Sequence, residues 1–359
     1  MQDYVYDMGY AKFEGLEELR QTLAHAIAKG LFINREKDIL IDFTGGDKTY
    51  SAATLLAYSL AVSKVLKEKT KNKRIGIAMP PCAYAAIANY ACIFAGKPPV
   101  NLNFTMGRAA AESCLKTADI KDVVSSEAMR KKISDANQNF PWAENFIDIA
   151  KTVSETKPFD ISVGLEKILE HFGIEKFSKN EKEATLVFTS GSEGAPKAAI
   201  LTERNIIANC LQTRLSNVFL EGDILLANLP VFHSFGLLFE IWALAINGVK
   251  SLLLASPIDI KANLRAIRQY RPNVMLGSPT FYRAYIRHAG KEDMQSLRMA
   301  IAGAEKTPDG FEELWNSRFS PNSYKEGYGL TETSPVVGVN MPDIDYGWYS
   351  TGTRKGSIG

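Results

Sequence analysis

TLVFTSGSEGAPK, residues 185–197, runs a short apolar segment straight into a loop of glycines and hydroxyl side chains that closes on a lysine. The apolar part is continuous rather than alternating, the pattern of a strand covered on both faces, and it predicts a parallel sheet with chemistry at its strand ends. Gly191 and Gly194 permit backbone conformations closed to other residues, so successive amides can converge on an anion. Thr189, Ser190 and Ser192 add hydroxyl donors, Lys197 adds positive charge, and Pro196 stiffens the exit. The common phosphate loop is not met, because proline rather than glycine precedes the lysine. From these residues alone, a phosphate cradle and a polar hairpin turn with a surface lysine both stay open.

The same strand pattern recurs outward along the chain. RIGIAMP, ILLANLP, SLLLA, NVMLG and RMAIAG are short apolar runs, many of which end in Gly, Pro or Ser. Helical stripes alternate with them: Leu16, Leu19, Leu23 and Ile27, expected to stop at Gly30, then Leu55, Val62 and Leu66. Thr307-Pro308 predicts a capping residue and a first-turn proline that open a helix over FEELWNSRF. The predicted class is α/β, with stacked αβ lobes and predominantly parallel buried sheets. The irregular stretch 140–183 marks a seam, giving a lobe at 1–180, a second at 181–340 and the start of a third subdomain at 341–359.

Composition narrows the function. The apolar fraction of 46% and charged fraction of 23% are ordinary for globular proteins. A formal net charge of +2 offers no basic field for nucleic acid. Cys82, Cys92, Cys114 and Cys210 are scattered and suggest no metal cluster. No signal-peptide pattern and no transmembrane run is expected, so a cytoplasmic protein is the default. Loose membrane contact would suit a fatty substrate, although no basic amphipathic helix marks it.

The nine residues TSGSEGAPK resemble the signature loop of the adenylate-forming (AMP-binding) acyl-activating superfamily, usually TSGSTGxPKG, with Glu193 and Ala198 as departures. Other segments resemble the superfamily's motifs in its order. These are KTYSAATL at 48–55, IFAGKPPVNLNFT at 93–105, LPVFHSFGL at 229–237, AGAEK at 302–306 and EGYGLTET at 326–333. The resemblance implies an ATP site at Thr189, Ser190, Gly191, Ser192, Glu193, Gly194 and Lys197. It continues through Gly303, Ala304 and Glu305 along the adenine, and Glu326, Gly327, Tyr328, Gly329 and Thr331. The residues have physical readings of their own. Tyr328 offers a face for stacking, Thr331 a donor for the α-phosphate, and Glu332 a carboxylate for Mg²⁺. Thr189, Lys197, Thr331 and Glu332 are the expected catalytic residues.

His233 stands among Phe232 and Phe235, which fits lining a pocket better than acid–base work. No acid occurs in the segment where amino-acid-activating members hold an ammonium, so an apolar tail is expected. His233, Phe235, Gly277, Ser278 and Phe281 are the predicted acyl-pocket residues, though Phe281 also suits ordinary helix core. TSGSEG, AGAEKTPDGFEELWNSRF and EGYGLTETSPVVGVNMP resemble the acyl-acyl-carrier-protein synthetase branch. This implies ATP, Mg²⁺ and a fatty acid, with the phosphopantetheine of acyl carrier protein favoured over coenzyme A as acceptor. The basic run at 64–74 could dock an acidic carrier, but a solvated helix end explains it as well. Residues 1–359 then correspond to the large N-terminal domain, with the small C-terminal lid domain and its lysine expected beyond them. A long-chain acyl–CoA ligase, an aryl-acid or luciferase-like member, and a non-catalytic nucleotide- or acyl-binding module are the alternatives.

Overall fold

The structure is a computed structural model that describes residues 12–178, 181–189, 196–321, 323–342, 344–345 and 350–352. In chain order, β1 (Asp38–Asp42) and β2 (Lys48–Ser51) precede β3 (Ile75–Ile77), β4 (Pro99–Asn101), β5 (Asp122–Ser125) and β6 (Asn145–Asp148). Next come β7 (Glu183–Thr189), β8 (Lys197–Thr202), β9 (Ile224–Ala227) and β10 (Lys250–Leu253). Then follow β11 (Val274–Gly277), β12 (Met299–Ala302), β13 (Tyr324–Gly329) and β14 (Val336–Val339), and last a short antiparallel pair, β15 (Ile344–Asp345) and β16 (Ser350–Thr351). The large sheet has the order β14-β13-β12-β11-β9-β10-β1-β2 and is parallel from β13 to β1, with antiparallel pairs only at its two edges. The small sheet, β4-β3-β5-β6, is parallel throughout. This is the α/β class that the continuous apolar runs predict.

The pairing departs from the sequence reading in two places. First, β7 is not in a parallel sheet; it forms an antiparallel hairpin with β8, in which Thr189 faces Lys197. Its apolar centre is buried all the same, because it lies against the edge of the small sheet, where Thr185 Oγ1 donates to the Pro99 carbonyl at 2.7 Å. Second, strand pairing crosses the expected boundary at 180. β1 joins the large sheet beside β10, with Leu40 opposite Ser251 and Ile41 opposite Leu252. One apolar core, including Leu23, Leu56, Tyr90 and Phe239, runs continuously between the sheets.

Two helix boundaries also move. The helix Leu23–Ile33 passes through Gly30 instead of ending there. A Cβ on Gly30 would stand 2.2 Å from the Ala245 carbonyl oxygen, so this glycine serves a close helix–helix approach and not a cap. The helix expected after Thr307-Pro308 begins later, at Phe311, behind Gly310, whose φ of 75° favours glycine. Thr307 Oγ1 is instead 2.8 Å from Tyr324 Oη. The long apolar stretch near residue 90 is the helix Ala83–Phe94, almost entirely buried between the sheets. No helix among the described residues is long and apolar enough to cross a membrane.

Candidate functional site

A cavity of about 590 Å³ opens where the ends of β12 and β13 meet the hairpin of β7 and β8 and the edge of the small sheet. This is within the size range of small-molecule sites, and it lies at strand ends as expected for an open α/β sheet. Thr189 lines it from the end of β7, Gly303 and Ala304 from the turn after β12, and Gly327 to Glu332 from β13 and its continuation. Three widely separated stretches of the predicted nucleotide site thus share one wall. Ser190, Gly191, Ser192, Glu193 and Gly194 lie outside the described residues. The hairpin register nevertheless holds the two ends of that loop together, with Thr189 on the cavity and Lys197 exposed opposite it.

Backbone geometry explains why two of these turns need their residues. A Cβ on Gly329 would meet the Pro335 carbonyl oxygen at 2.1 Å, and that same oxygen accepts from the Leu330 amide at 3.0 Å and from Thr333 Oγ1 at 2.6 Å. Gly329→Ala is therefore expected to force β13 and β14 apart and to lower stability by about 1–3 kcal/mol. A fall in the thermal midpoint together with weaker ATP binding would bear this out, and an unchanged midpoint would exclude the close approach. Ala304 has a φ of 69°, uncommon for a residue with a Cβ. It projects the turn after β12 toward the cavity. Tyr328 is 42% exposed on the cavity lining, so its aromatic side chain is accessible to a ligand there.

Phe232, His233, Ser234 and Phe235 form the facing wall. Ser234 Oγ and Thr331 Oγ1 are 3.2 Å apart, joining this wall to the turn after β13. His233 Nδ1 accepts the Phe235 amide at 3.3 Å, and the ring is recessed in the concavity though still accessible. Loss of hydration lowers its pKa, so it is neutral at pH 7 and suits a lining role. Because the lowered value means that the unfolded chain binds the proton more readily, the fold should lose stability as pH falls from about 6.5 toward the folded value. Comparing the slope of stability against pH for the wild type and His233→Gln checks the sign; an identical slope below neutrality would refute it.

Apart from Asn101 and Asn103, the remainder of the cavity is mostly apolar. Phe235 and Phe239 pack edge to face at 5.6 Å, with Ile301, Val336 and Val339 also on the lining. Leu102, Met106, Leu115, Phe140 and Phe188 extend it toward the small sheet. Phe104 meets Phe232 edge-on at 5.4 Å and fastens the two parts together. Leu102 and Phe188 stand inside quoted motifs without having been assigned to the pocket, while Leu115 and Phe140 lie outside the motifs and reach the cavity only through topology.

Other predicted residues stand outside the lining. Gly277 ends β11, Ser278 Oγ caps the next helix by accepting the Phe281 amide at 3.3 Å, and Phe281 packs on the main core. None of the three is on the cavity surface. Glu305 accepts the Thr280 amide at 2.9 Å and Thr280 Oγ1 at 3.0 Å, so it fastens the turn after β12. Glu326 lies beside Ala302 in the β12–β13 register, just before the lining begins. Glu332 is exposed at the cavity, and the described residues contain no cluster of three or more His, Cys, Asp or Glu side chains able to hold a metal alone.

An open, mostly parallel sheet with a glycine turn, hydroxyls and an apolar wall on one cavity defines an α/β protein with a ligand-sized site at its strand ends. Residues 33–359 match the family described as AMP-binding enzyme, and the chain belongs to that family. A long-chain-fatty-acid–CoA ligase of Bacillus subtilis (strain 168) is 25% identical over 330 residues, which are 84% of this chain and 58% of that protein. A long-chain-fatty-acid–CoA ligase of Salmonella typhi is 31% identical over 184 residues, 50% of this chain and 31% of that one. The chain therefore spans well under two thirds of the length of either relative. Among solved structures, a long-chain-fatty-acid–CoA ligase from Archaeoglobus fulgidus aligns with a TM-score of 0.73 at 17% identity, covering 90% of this chain and 67% of that one. ATP-bound MatB from Rhodopseudomonas palustris aligns with a TM-score of 0.70 at 20% identity, covering 92% and 62%. At these identities the likeness to the two structures is one of fold.

Proposed function

We propose that this chain forms the ATP- and carboxylate-binding body of an AMP-forming ligase for fatty acids. The observation that carries the reading is that one cavity joins the turn after β13 to an apolar wall, through the Ser234–Thr331 contact. In the reaction, a carboxylate oxygen attacks the α-phosphorus of ATP and pyrophosphate leaves. A thiol sulfur then attacks the acyl carbonyl, and AMP leaves with the electron pair of the broken mixed anhydride. Thr331 and Thr189 serve as hydroxyl donors to phosphate oxygens, Tyr328 as the platform for adenine, and Lys197 with residues 190–194 as the phosphate cradle. Ala304 and Gly303 bring backbone close to the base, while Glu305 and Glu326 support their turns. His233 and Phe235 take the acyl side.

Glu332 is the residue proposed to hold Mg²⁺. A single exposed carboxylate on the cavity fits that ion, which keeps several waters and shares phosphate oxygens rather than requiring a full protein cage. The metal would neutralise charge on the phosphates. The proposed acceptor is the phosphopantetheine thiol of coenzyme A, the acceptor of the long-chain-fatty-acid–CoA ligases that the chain resembles. Acyl carrier protein, suggested by TSGSEG, LPVFHSFGL, AGAEKTPDGFEELWNSRF and EGYGLTETSPVVGVNMP, is the second acceptor to test; of these segments, residues 190–194 lie outside those described. The test is ATP–pyrophosphate exchange by the full-length gene product with a panel of acids, followed by thioester formation on each acceptor. Exchange that depends on fatty acids supports the reading, and exchange only with aryl acids, or with none, rejects it. Thioester on carrier protein but not on coenzyme A would reverse the acceptor. Glu332→Gln that keeps the full Mg²⁺ dependence would remove the metal role.

A further inference from the structure

Glu240 is a carboxylic acid with 0% exposure in an apolar core, and none of the roles above uses it. It belongs to Leu237–Trp242, a π-helical segment directly behind the cavity wall. A π-turn departs from the ordinary helical bonding ladder, and such turns recur at functional sites. Two side chains secure this one. Tyr90 Oη, from the helix Ala83–Phe94, donates to the Ile241 carbonyl at 2.7 Å. Glu240 Oε1 accepts the Leu229 amide at 2.7 Å, while Oε2 is buried without a partner.

The Leu229–Glu240 bond closes a loop upon itself. Between its two ends lie Phe232, His233, Ser234, Phe235 and Phe239, all on the cavity lining. Gly236 shows how tightly the loop is drawn, since a Cβ there would stand 2.6 Å from the Pro230 carbonyl oxygen. We propose that Glu240 is a positioning residue for the acyl side of the cavity. By holding the Leu229 amide, its carboxyl sets where Phe232, His233 and Phe235 stand. The clasp itself follows from the geometry; its effect on ligand rests on the reading of this wall as the acyl site.

Burial raises the Glu240 pKa well above that of an ordinary glutamate, so the neutral acid is the form that fits here. A neutral acceptor satisfies the amide without a buried, uncompensated charge. Glutamine should therefore substitute, and leucine should not. Because the folded state keeps a proton that the unfolded chain releases, the wild type loses stability as pH rises above about 4.3. Glu240→Gln should be free of that loss, so its advantage grows with pH.

The experiment compares Glu240→Gln, Glu240→Leu and Glu240→Asp by hydrogen exchange at the Leu229 amide and by titration with dodecanoyl-sulfamoyladenosine, acetyl-sulfamoyladenosine and ATP. Leucine should speed Leu229 exchange about ten-fold and weaken the dodecanoyl analogue by a similar factor, leaving ATP nearly unchanged. Glutamine should match the wild type in exchange and in all three affinities. If the leucine variant does not fold, aspartate, which withdraws the acceptor by one methylene, should show the same losses in smaller measure. Unchanged Leu229 exchange in both leucine and aspartate overturns the clasp. A glutamine variant as impaired as leucine, or equal losses for ATP and both analogues, overturns the positioning role. If the wild type binds no analogue at all, the functional reading fails while the exchange result still decides the clasp.

Discussion

Trp315→Ala is expected to lower the unfolding free energy by about 3–5 kcal/mol. Trp315 is completely buried and packs against Phe319 at 4.7 Å and Tyr282 at 4.8 Å between ring centres, with Tyr324 at 6.2 Å. Its Nε1 donates to Ser323 Oγ at 3.0 Å, so truncation leaves a cavity and removes one hydrogen bond from a hydroxyl that keeps its own bond to the Ser320 carbonyl at 2.8 Å. Total stabilities of single domains are about 5–15 kcal/mol, so this one change removes a large part. The loss reaches the site because Ser323 leads into β13 and Tyr324 begins it, and that strand carries Gly327 to Gly329 to the cavity. Trp315→Phe keeps much of the ring packing and should cost less than half as much. Urea denaturation of both variants measures the difference, and an alanine variant with the wild-type midpoint would show that this cluster does not support β13.

Phe235→Asp should have the largest effect on ligand. Phe235 packs on Phe239, and its ring is the nearest side chain to Gly303, where a Cβ would approach it to 3.5 Å. A carboxylate here would face an apolar tail and has no cation placed to pair with it among the lining residues. Leaving such a charge unpaired typically costs about 3 kcal/mol or more, a factor of about 100 in affinity. Binding of dodecanoyl-sulfamoyladenosine should fall accordingly, while ATP, which leaves the tail region empty, should be little affected. Equal weakening of the two ligands would mean that Phe235 is not on the acyl side.

Much of this was legible in the sequence. Continuous apolar runs such as ILLANLP and NVMLG became buried parallel strands because a run apolar at every position can only be covered on both faces. Gly303 and the turn at Gly327–Gly329 reached the cavity because strand ends of an open sheet converge there. Other features were not legible, for identifiable reasons. TLVFTS has the composition of a parallel strand yet pairs antiparallel with β8, since burial on both faces does not specify strand direction. Gly30 sits at the end of a helical stripe but serves an approach by Ala245, a contact from far along the chain. Thr307-Pro308 carries the local pattern of a helix start, but Thr307 bonds to Tyr324. Leu102, Met106 and Phe140 join the cavity by tertiary packing alone, and Glu240 looks in sequence like a break in an apolar run rather than a clasp.

One cavity is proposed to hold a nucleotide and a fatty acyl group together. Calorimetric titration with dodecanoyl-sulfamoyladenosine tests it directly. A single site is expected, displaced by ATP, bound more tightly than acetyl-sulfamoyladenosine, and with a negative heat-capacity change from burial of the tail. Binding that is indifferent to the tail, or that ATP does not displace, would contradict the account.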